Sequence, residues 1–248
     1  MIEKFDVYMT PYQSNRRLHV YLPDDYDVSE ERYPVVYMFD GHNLFYDEDA
    51  TYGKSWGLKN FLDHYDKKLI IVGMECNHEG TRRLDEYCPY SLKSSYLGEI
   101  NGSGKAMMDW VIHELKPMID TRYRTYPFRE CTAIAGSSMG GLMALYTVIA
   151  HNDYFSKAAC ISPACGLCIS QLKADMKTAA ISADTRVYFS FGTNEIRNID
   201  YTKKILKDFT QYFENKKAAT YVNIVQGGSH NEASWEKENP VYMDFLWK

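Results

Sequence analysis

Two largely apolar runs, residues 33–39 (YPVVYMF) and 68–75 (KLIIVGME), constrain the fold of this chain more than any other feature. A strand with one face in water alternates apolar and polar side chains. A continuous apolar run instead fits a strand covered on both faces, as in a parallel sheet between layers of helices. Residues 131–135 and 186–191 read the same way, and strand-like runs alternate with helical patterns from Tyr33 to the C-terminus. The predicted class is therefore α/β, with a mostly parallel central sheet and helices on both faces. Residues 5–9 and 17–22 are amphipathic, and the short link through Pro11 and Asn15 suits an antiparallel pair at a sheet edge. Met107, Val111, Leu115 and Met118 repeat at helical spacing, with Pro117 expected to end that helix. Ile205, Leu206, Phe209 and Phe213 mark a second helical stripe, and residues 221–225 read as a last strand before a loop and a C-terminal helical segment.

The chain has 248 residues, 45% apolar and 25% charged, with no internal repeat and no Pro/Gly/Ser linker, so residues 1–248 are expected to form one domain. Residues 77–104 differ in texture. They are rich in Tyr, Arg, Glu and Gly, lack periodicity, and are expected to form a loop on the substrate side. Lys plus Arg number 28 against 33 for Asp plus Glu, and the net charge of −5 argues against a nucleic-acid partner. The apolar runs fall far short of the roughly 20 residues that cross a bilayer, so no membrane partner is expected. Glu3, Lys4 and Asp6 stand where a secretory signal would begin, which gives a cytoplasmic expectation. Six cysteines are too sparse for a disulfide scaffold. The C-x-x-C pair Cys165 and Cys168 has no second pair at ligand spacing and reads as structural, not as zinc or redox chemistry. A homo-oligomer remains open on these features.

The chemistry is carried by Gly136-Ser137-Ser138-Met139-Gly140-Gly141, a G-x-S-x-G pattern between an apolar strand (CTAIA) and an apolar helix (LMALYTVIA). On so sharp a strand-to-helix turn, Gly136 and Gly140 avoid collisions and the Ser138 hydroxyl projects above the sheet. The backbone N–H of Met139, at the helix start, is then free to bind a developing oxyanion. Ser137 lacks the flanking glycine spacing and should face the scaffold. A serine hydroxyl needs a histidine to take its proton and a carboxylate to orient that histidine. His230 follows the last strand and the Gly227-Gly228-Ser229 turn, whereas His151 sits at the end of the helix that Ser138 opens. Glu195, just past the RVYFSF strand, is the expected acid. Asp200, five residues on, is the competitor that more plainly opens a helix. After the 33–39 strand, Asp40-Gly41-His42-Asn43 takes the place of a second oxyanion donor, assigned to the His42 backbone N–H. As a metal ligand the His42 side chain has no partner at ligand spacing, so no metal is expected.

With the elbow, the late histidine and the DGHN turn together, the chain resembles the Putative esterase branch of the α/β-hydrolase fold, which includes esterase D-like, siderophore-ester and carbohydrate-ester hydrolases. The resemblance extends through Gly53-Lys54-Ser55-Trp56-Gly57, Arg83-Leu84-Asp85-Glu86-Tyr87 and Gly192-Thr193-Asn194-Glu195. The family's serine carries over to Ser138, its histidine to His230 and its acid to Glu195, although glutamate stands where many relatives have aspartate. The resemblance implies hydrolysis of a small-molecule ester through an acyl-serine intermediate, without metal or organic cofactor. Trp56, Arg83 and Tyr87, with Tyr90, Asp85 and Glu86, are the expected lining, and aromatic faces beside charges suit a sugar or small polar alcohol. A structural salt-bridge and packing role for RLDEY is the competing reading. An acyltransferase or thioesterase using the same triad, and a noncatalytic binding module on the same scaffold, are the alternatives. Gly102-Ser103-Gly104-Lys105 is not a phosphate loop, because Glu99 and Ala106 occupy positions that must be Gly and Ser or Thr.

Overall fold

The computed structural model describes residues 1–95, 97–195 and 199–248. Ten strands run in chain order: β1 (Ile2–Met9), β2 (Ser14–Tyr21), β3 (Val35–Phe39), β4 (Ile70–Met74), β5 (Leu92–Ser94), β6 (Gly98–Ile100), β7 (Thr132–Ser137), β8 (Lys157–Ile161), β9 (Arg186–Gly192) and β10 (Ala219–Val225). Eight of them form one sheet in the order β1-β2-β4-β3-β7-β8-β9-β10. β1 and β2 pair antiparallel at one edge, as expected, and β2 pairs antiparallel with β4. From β4 through β10 every pairing is parallel.

The apolar runs become strands because both their faces are covered. Val35, Tyr37 and Phe39 point into one core and Val36 and Met38 into another. This is the period of two that a sheet between two helical layers requires. One layer contains α3 (Gly104–Trp110), α4 (Lys116–Arg122), α5 (Met139–Ala150), α6 (Ile169–Met176) and α7 (Ile199–Asn215). The other contains α1 (Leu58–Leu62), α8 (Glu232–Trp235) and α9 (Asn239–Leu246). The chain is therefore an α/β protein with a mostly parallel central sheet and helices on both faces. No described helix is long and apolar enough to cross a membrane.

Two expectations need correction. Pro117 does not end its helix. A π-helical turn, Val111–Leu115, follows α3 without a break in helical backbone, and Pro117 sits in the first turn of α4, directly after that wider turn, which accommodates the missing N–H. Residues 77–104 are not an irregular loop either. They contain α2 (Arg82–Glu86) and the β5–β6 hairpin, and Tyr87 and Cys88 are fully buried in the core. β8, a strand not among those expected, supplies the carbonyl that fixes the backbone at Ser138.

Candidate active site

In a parallel sheet the carboxyl ends of the strands lie on one edge, where ligands gather. Four connections emerge there with the residues singled out above: Asp40 to Asn43 after β3, Ser138 after β7, Glu195 after β9 and His230 after β10. Those after β3, β7 and β10 border a cavity of about 730 Å³ whose wall includes His42, Asn43, Ser138, His230 and Glu232.

Ser138 has φ 56° and ψ −118°, a left-handed backbone that a non-glycine residue adopts only when its surroundings impose it. Its N–H donates to the Ile161 carbonyl of β8 at 3.0 Å, and its own carbonyl accepts from Leu142 at 3.0 Å and Ala164 at 2.9 Å. Strain of this kind costs about 1–3 kcal/mol. It is offset by α5, in which every residue from Met139 to Ile149 is buried, each large aliphatic side chain contributing about 1.5–3 kcal/mol. The flanking glycines are required sterically. A Cβ on Gly136 would stand 2.7 Å from the Gly140 carbonyl carbon, and one on Gly140 would stand 2.9 Å from Phe39 Cβ. Ser137 is buried at the end of β7, although it contributes to the cavity wall.

His230 Nδ1 is hydrogen-bonded to Glu195 Oε2. The other carboxylate oxygen, Oε1, accepts from Ser162 Oγ at 2.7 Å and from the Gly192 N–H. Ser162 Oγ in turn accepts from Trp235 Nε1 at 3.1 Å, and the Trp235 ring meets the His230 ring edge-on, centroids 5.1 Å apart. Burial pushes the Glu195 carboxyl up, but the hydrogen bonds from His230, Ser162 and Gly192 outweigh it and leave its pKa below the ordinary value. The loops carrying the acid and the histidine meet backbone to backbone, since a Cβ on Gly192 would stand 2.2 Å from the Gly228 carbonyl oxygen. Asp200 is exposed in the first turn of α7, so the carboxylate brought to the histidine is that of Glu195.

At the end of β3, Asp40 also takes a left-handed conformation, φ 57°. The N–H groups of Asn43 and Leu44 donate to the Asp40 and Gly41 carbonyls, while those of His42 and Met139 have no acceptor among the described residues. Gly41 allows this turn to cross β4, where a Cβ would lie 2.5 Å from the Gly73 carbonyl carbon. The Asp40 carboxylate is clamped by Arg83, whose Nε and Nη2 donate at 2.7 Å each. Burial raises the Asp40 pKa, but the Arg83 guanidinium and its hydrogen bonds more than reverse this, and the carboxyl titrates below its ordinary range. Removing Arg83 leaves a buried carboxylate without its partner. Arg83→Met is therefore expected to lower stability at neutral pH by about 3 kcal/mol. With its pKa then raised by burial, Asp40 would protonate on acidification, so the deficit should shrink as pH falls; denaturant melts at two pH values check this.

The expected substrate lining is only partly present. Arg83 lines the cavity, but Trp56 and Tyr87 are 2% and 0% exposed and belong to the core. Trp56 packs on Trp235 and Tyr242. Tyr87 lies under the Arg83 guanidinium, and its hydroxyl accepts the Asp40 N–H at 3.1 Å. Tyr90 donates to Asp175 at 2.6 Å, and Glu86 pairs with buried Arg16 at 2.5 Å. RLDEY is thus mainly the packing and salt-bridge unit of the competing reading, because its aromatic rings remove more apolar area from water inside the fold than at a rim. Ser162, Trp235 and Glu232 were not read from sequence. Ser162-Pro163 directly after the apolar β8 is a signal that could have located the first; the other two carry none. A further correction concerns His42. Ring or thiol ligand atoms of His42, Cys76 and His78 lie within 4.8 Å of one another, partners that spacing along the chain does not reveal.

These elements are those of a family of ester hydrolases on the α/β-hydrolase-like fold. The sequence model of the family described as Putative esterase matches residues 10–241, and the chain belongs to that family. It is 23% identical to protein YbbA of Bacillus subtilis (strain 168) over 249 residues, covering 94% of this chain and 93% of that protein. It is 32% identical over 146 residues to Esterase Rv1288 of Mycobacterium tuberculosis, covering 58% of this chain but only 28% of the longer relative. Among solved structures, an IroE-like serine hydrolase from Shewanella oneidensis superposes with a TM-score of 0.77 at 18% identity, covering 99% of this chain and 79% of the other. An enterochelin esterase from Shigella flexneri gives 0.76 at 17% identity, covering 100% of this chain and 58% of that one. At these identities the superpositions speak for the fold.

Proposed function

We propose that the chain is a serine carboxylic-ester hydrolase acting on small polar esters through an acyl-enzyme. The observation that carries this reading is the joint placement of Ser138, on its strained turn, and His230, tied to Glu195, in the wall of one cavity. Ser138 Oγ attacks the ester carbonyl while His230 takes its proton, and the N–H groups of His42 and Met139 hold the negative oxygen. His230 then protonates the departing alcohol, the acyl group stays on Ser138, and water repeats the sequence to release the acid. Glu195 holds the imidazole in the tautomer with its proton on Nδ1 and offsets the positive charge that forms. The cavity wall carries polar side chains, Asn43, Thr51, Lys54, Asn77 and Arg83 among them, that support the choice of a polar ester. That the named relatives and structural neighbours include an esterase and an enterochelin esterase agrees with this reading.

The test compares short aryl esters, polar-alcohol esters and acyl-thioesters, with added alcohol acceptors. Hydrolysis of oxygen esters by water should dominate; preferential transfer to an acceptor or faster thioester turnover would replace this reading with the acyltransferase or thioesterase. Glu195→Gln should lower kcat by about 10²–10⁴-fold while leaving more activity than loss of Ser138 or His230, because the amide can favour the wrong tautomer. Since Glu195 titrates below its ordinary range, it stays ionised through mildly acidic pH. Wild-type rates in Glu195→Gln would remove the assignment.

A further inference from the structure

His42, Cys76 and His78 lie in the cavity wall yet their side chains take no part in the chemistry above. We propose that these three side chains bind one zinc-class divalent cation, with the fourth coordination position open to the cavity. Their ligand atoms fall within 4.8 Å of one another. Cys76 Sγ is 3.9 Å from His78 Nδ1, and a tetrahedral zinc with ordinary bonds to sulfur and nitrogen spans about 3.6 Å between two such atoms. That pair is near its bound spacing, and the His42 ring closes on the ion by side-chain rotation within the 4.8 Å cluster.

Each histidine has one nitrogen held and the other left for a metal. His42 Nε2 is 3.0 Å from Thr51 Oγ1, while its Nδ1 is buried without a hydrogen-bond partner, in a residue 6% exposed. His78 Nε2 is 3.3 Å from Glu75 Oε2, which leaves Nδ1 on the side of Cys76. Hydroxyl or carboxylate partners on the outer nitrogen are what fixes the tautomer of a ligating histidine. Coordination by Cys76 forms the sulfur–metal bond and releases the thiol proton to solvent. One thiolate with two imidazoles selects zinc-class ions over magnesium or calcium, whose ligands are oxygens. Three protein ligands with one open position match sites that keep a place for water or substrate.

The test uses the full chain stripped with chelator, titrated with Co²⁺ and then with Zn²⁺. One equivalent of Co²⁺ should give thiolate-to-metal charge-transfer absorption, and Zn²⁺ should displace it. Cys76→Ser should abolish that absorption, and His78→Ala, at an exposed position, should weaken Zn²⁺ binding about tenfold or more. A wild-type chain that takes up no metal, or a His78→Ala chain that binds as tightly, overturns the site. These readings do not depend on ester hydrolysis. A second arm rests on the hydrolase reading: a dication beside the oxyanion turn should lower turnover in the wild type more than in His78→Ala, and equal inhibition of both overturns the coupling.

Discussion

Replacing Ser138 with alanine is expected to cut ester turnover by about 10⁴-fold or more while the thermal midpoint stays within a few degrees of wild type. The two halves of this result come from different parts of the residue. On the proposed mechanism the nucleophile is the hydroxyl alone, and without it only binding and the two N–H donors remain to act on the carbonyl. The backbone is held by groups alanine keeps: the N–H on Ile161 and the carbonyl under Leu142 and Ala164. Alanine also has the same Cβ as serine, so the left-handed turn costs no more than before. Turnover assays beside a melting curve read both halves at once. A variant as active as wild type would move the chemistry elsewhere; a variant that unfolds would mean the hydroxyl is part of the scaffold.

His230→Ala should have nearly as large an effect. An alcohol does not lose its proton at neutral pH without a base, and the departing alcohol needs that proton returned. The side chain is 45% exposed, so its removal leaves little cavity in the core. Glu195 keeps its bonds to Ser162 and Gly192 in the variant, so the acid loop should hold its position. If Ser138 and His230 act as a unit, as proposed, Ser138→Ala/His230→Ala should be barely slower than either single variant. Losses that multiply in the double variant would mean the two side chains work independently.

What could be read from the sequence divides along physical lines. β3, β4, β7 and β9 were legible because burial on both faces leaves an uninterrupted apolar run. Ser138 was legible because a strained turn imposes glycine at Gly136 and Gly140, a local demand printed in adjacent residues. That Glu195 and His230 lie at one sheet edge was legible by order along the chain, each following a strand of a parallel sheet. Trp56 and Tyr87 misled because an aromatic ring in a motif reads the same whether it faces a ligand or a core; only packing against Trp235 and Phe39 decides. Pro117 misled because a π-turn ahead of it lets the helix continue, and no residue pattern marks that turn. The bracket of Ser162 and Trp235 on Glu195, and the meeting of His42 with Cys76 and His78, join segments that only the sheet brings together.

The most direct measurement of the central claim is the site and stoichiometry of covalent labelling by a fluorophosphonate, read by intact mass and peptide mapping. One adduct per chain on Ser138, absent from Ser138→Ala and strongly slowed in His230→Ala, is the predicted result. An adduct on a different residue, or ester hydrolysis that persists with Ser138 unmodified, would contradict it.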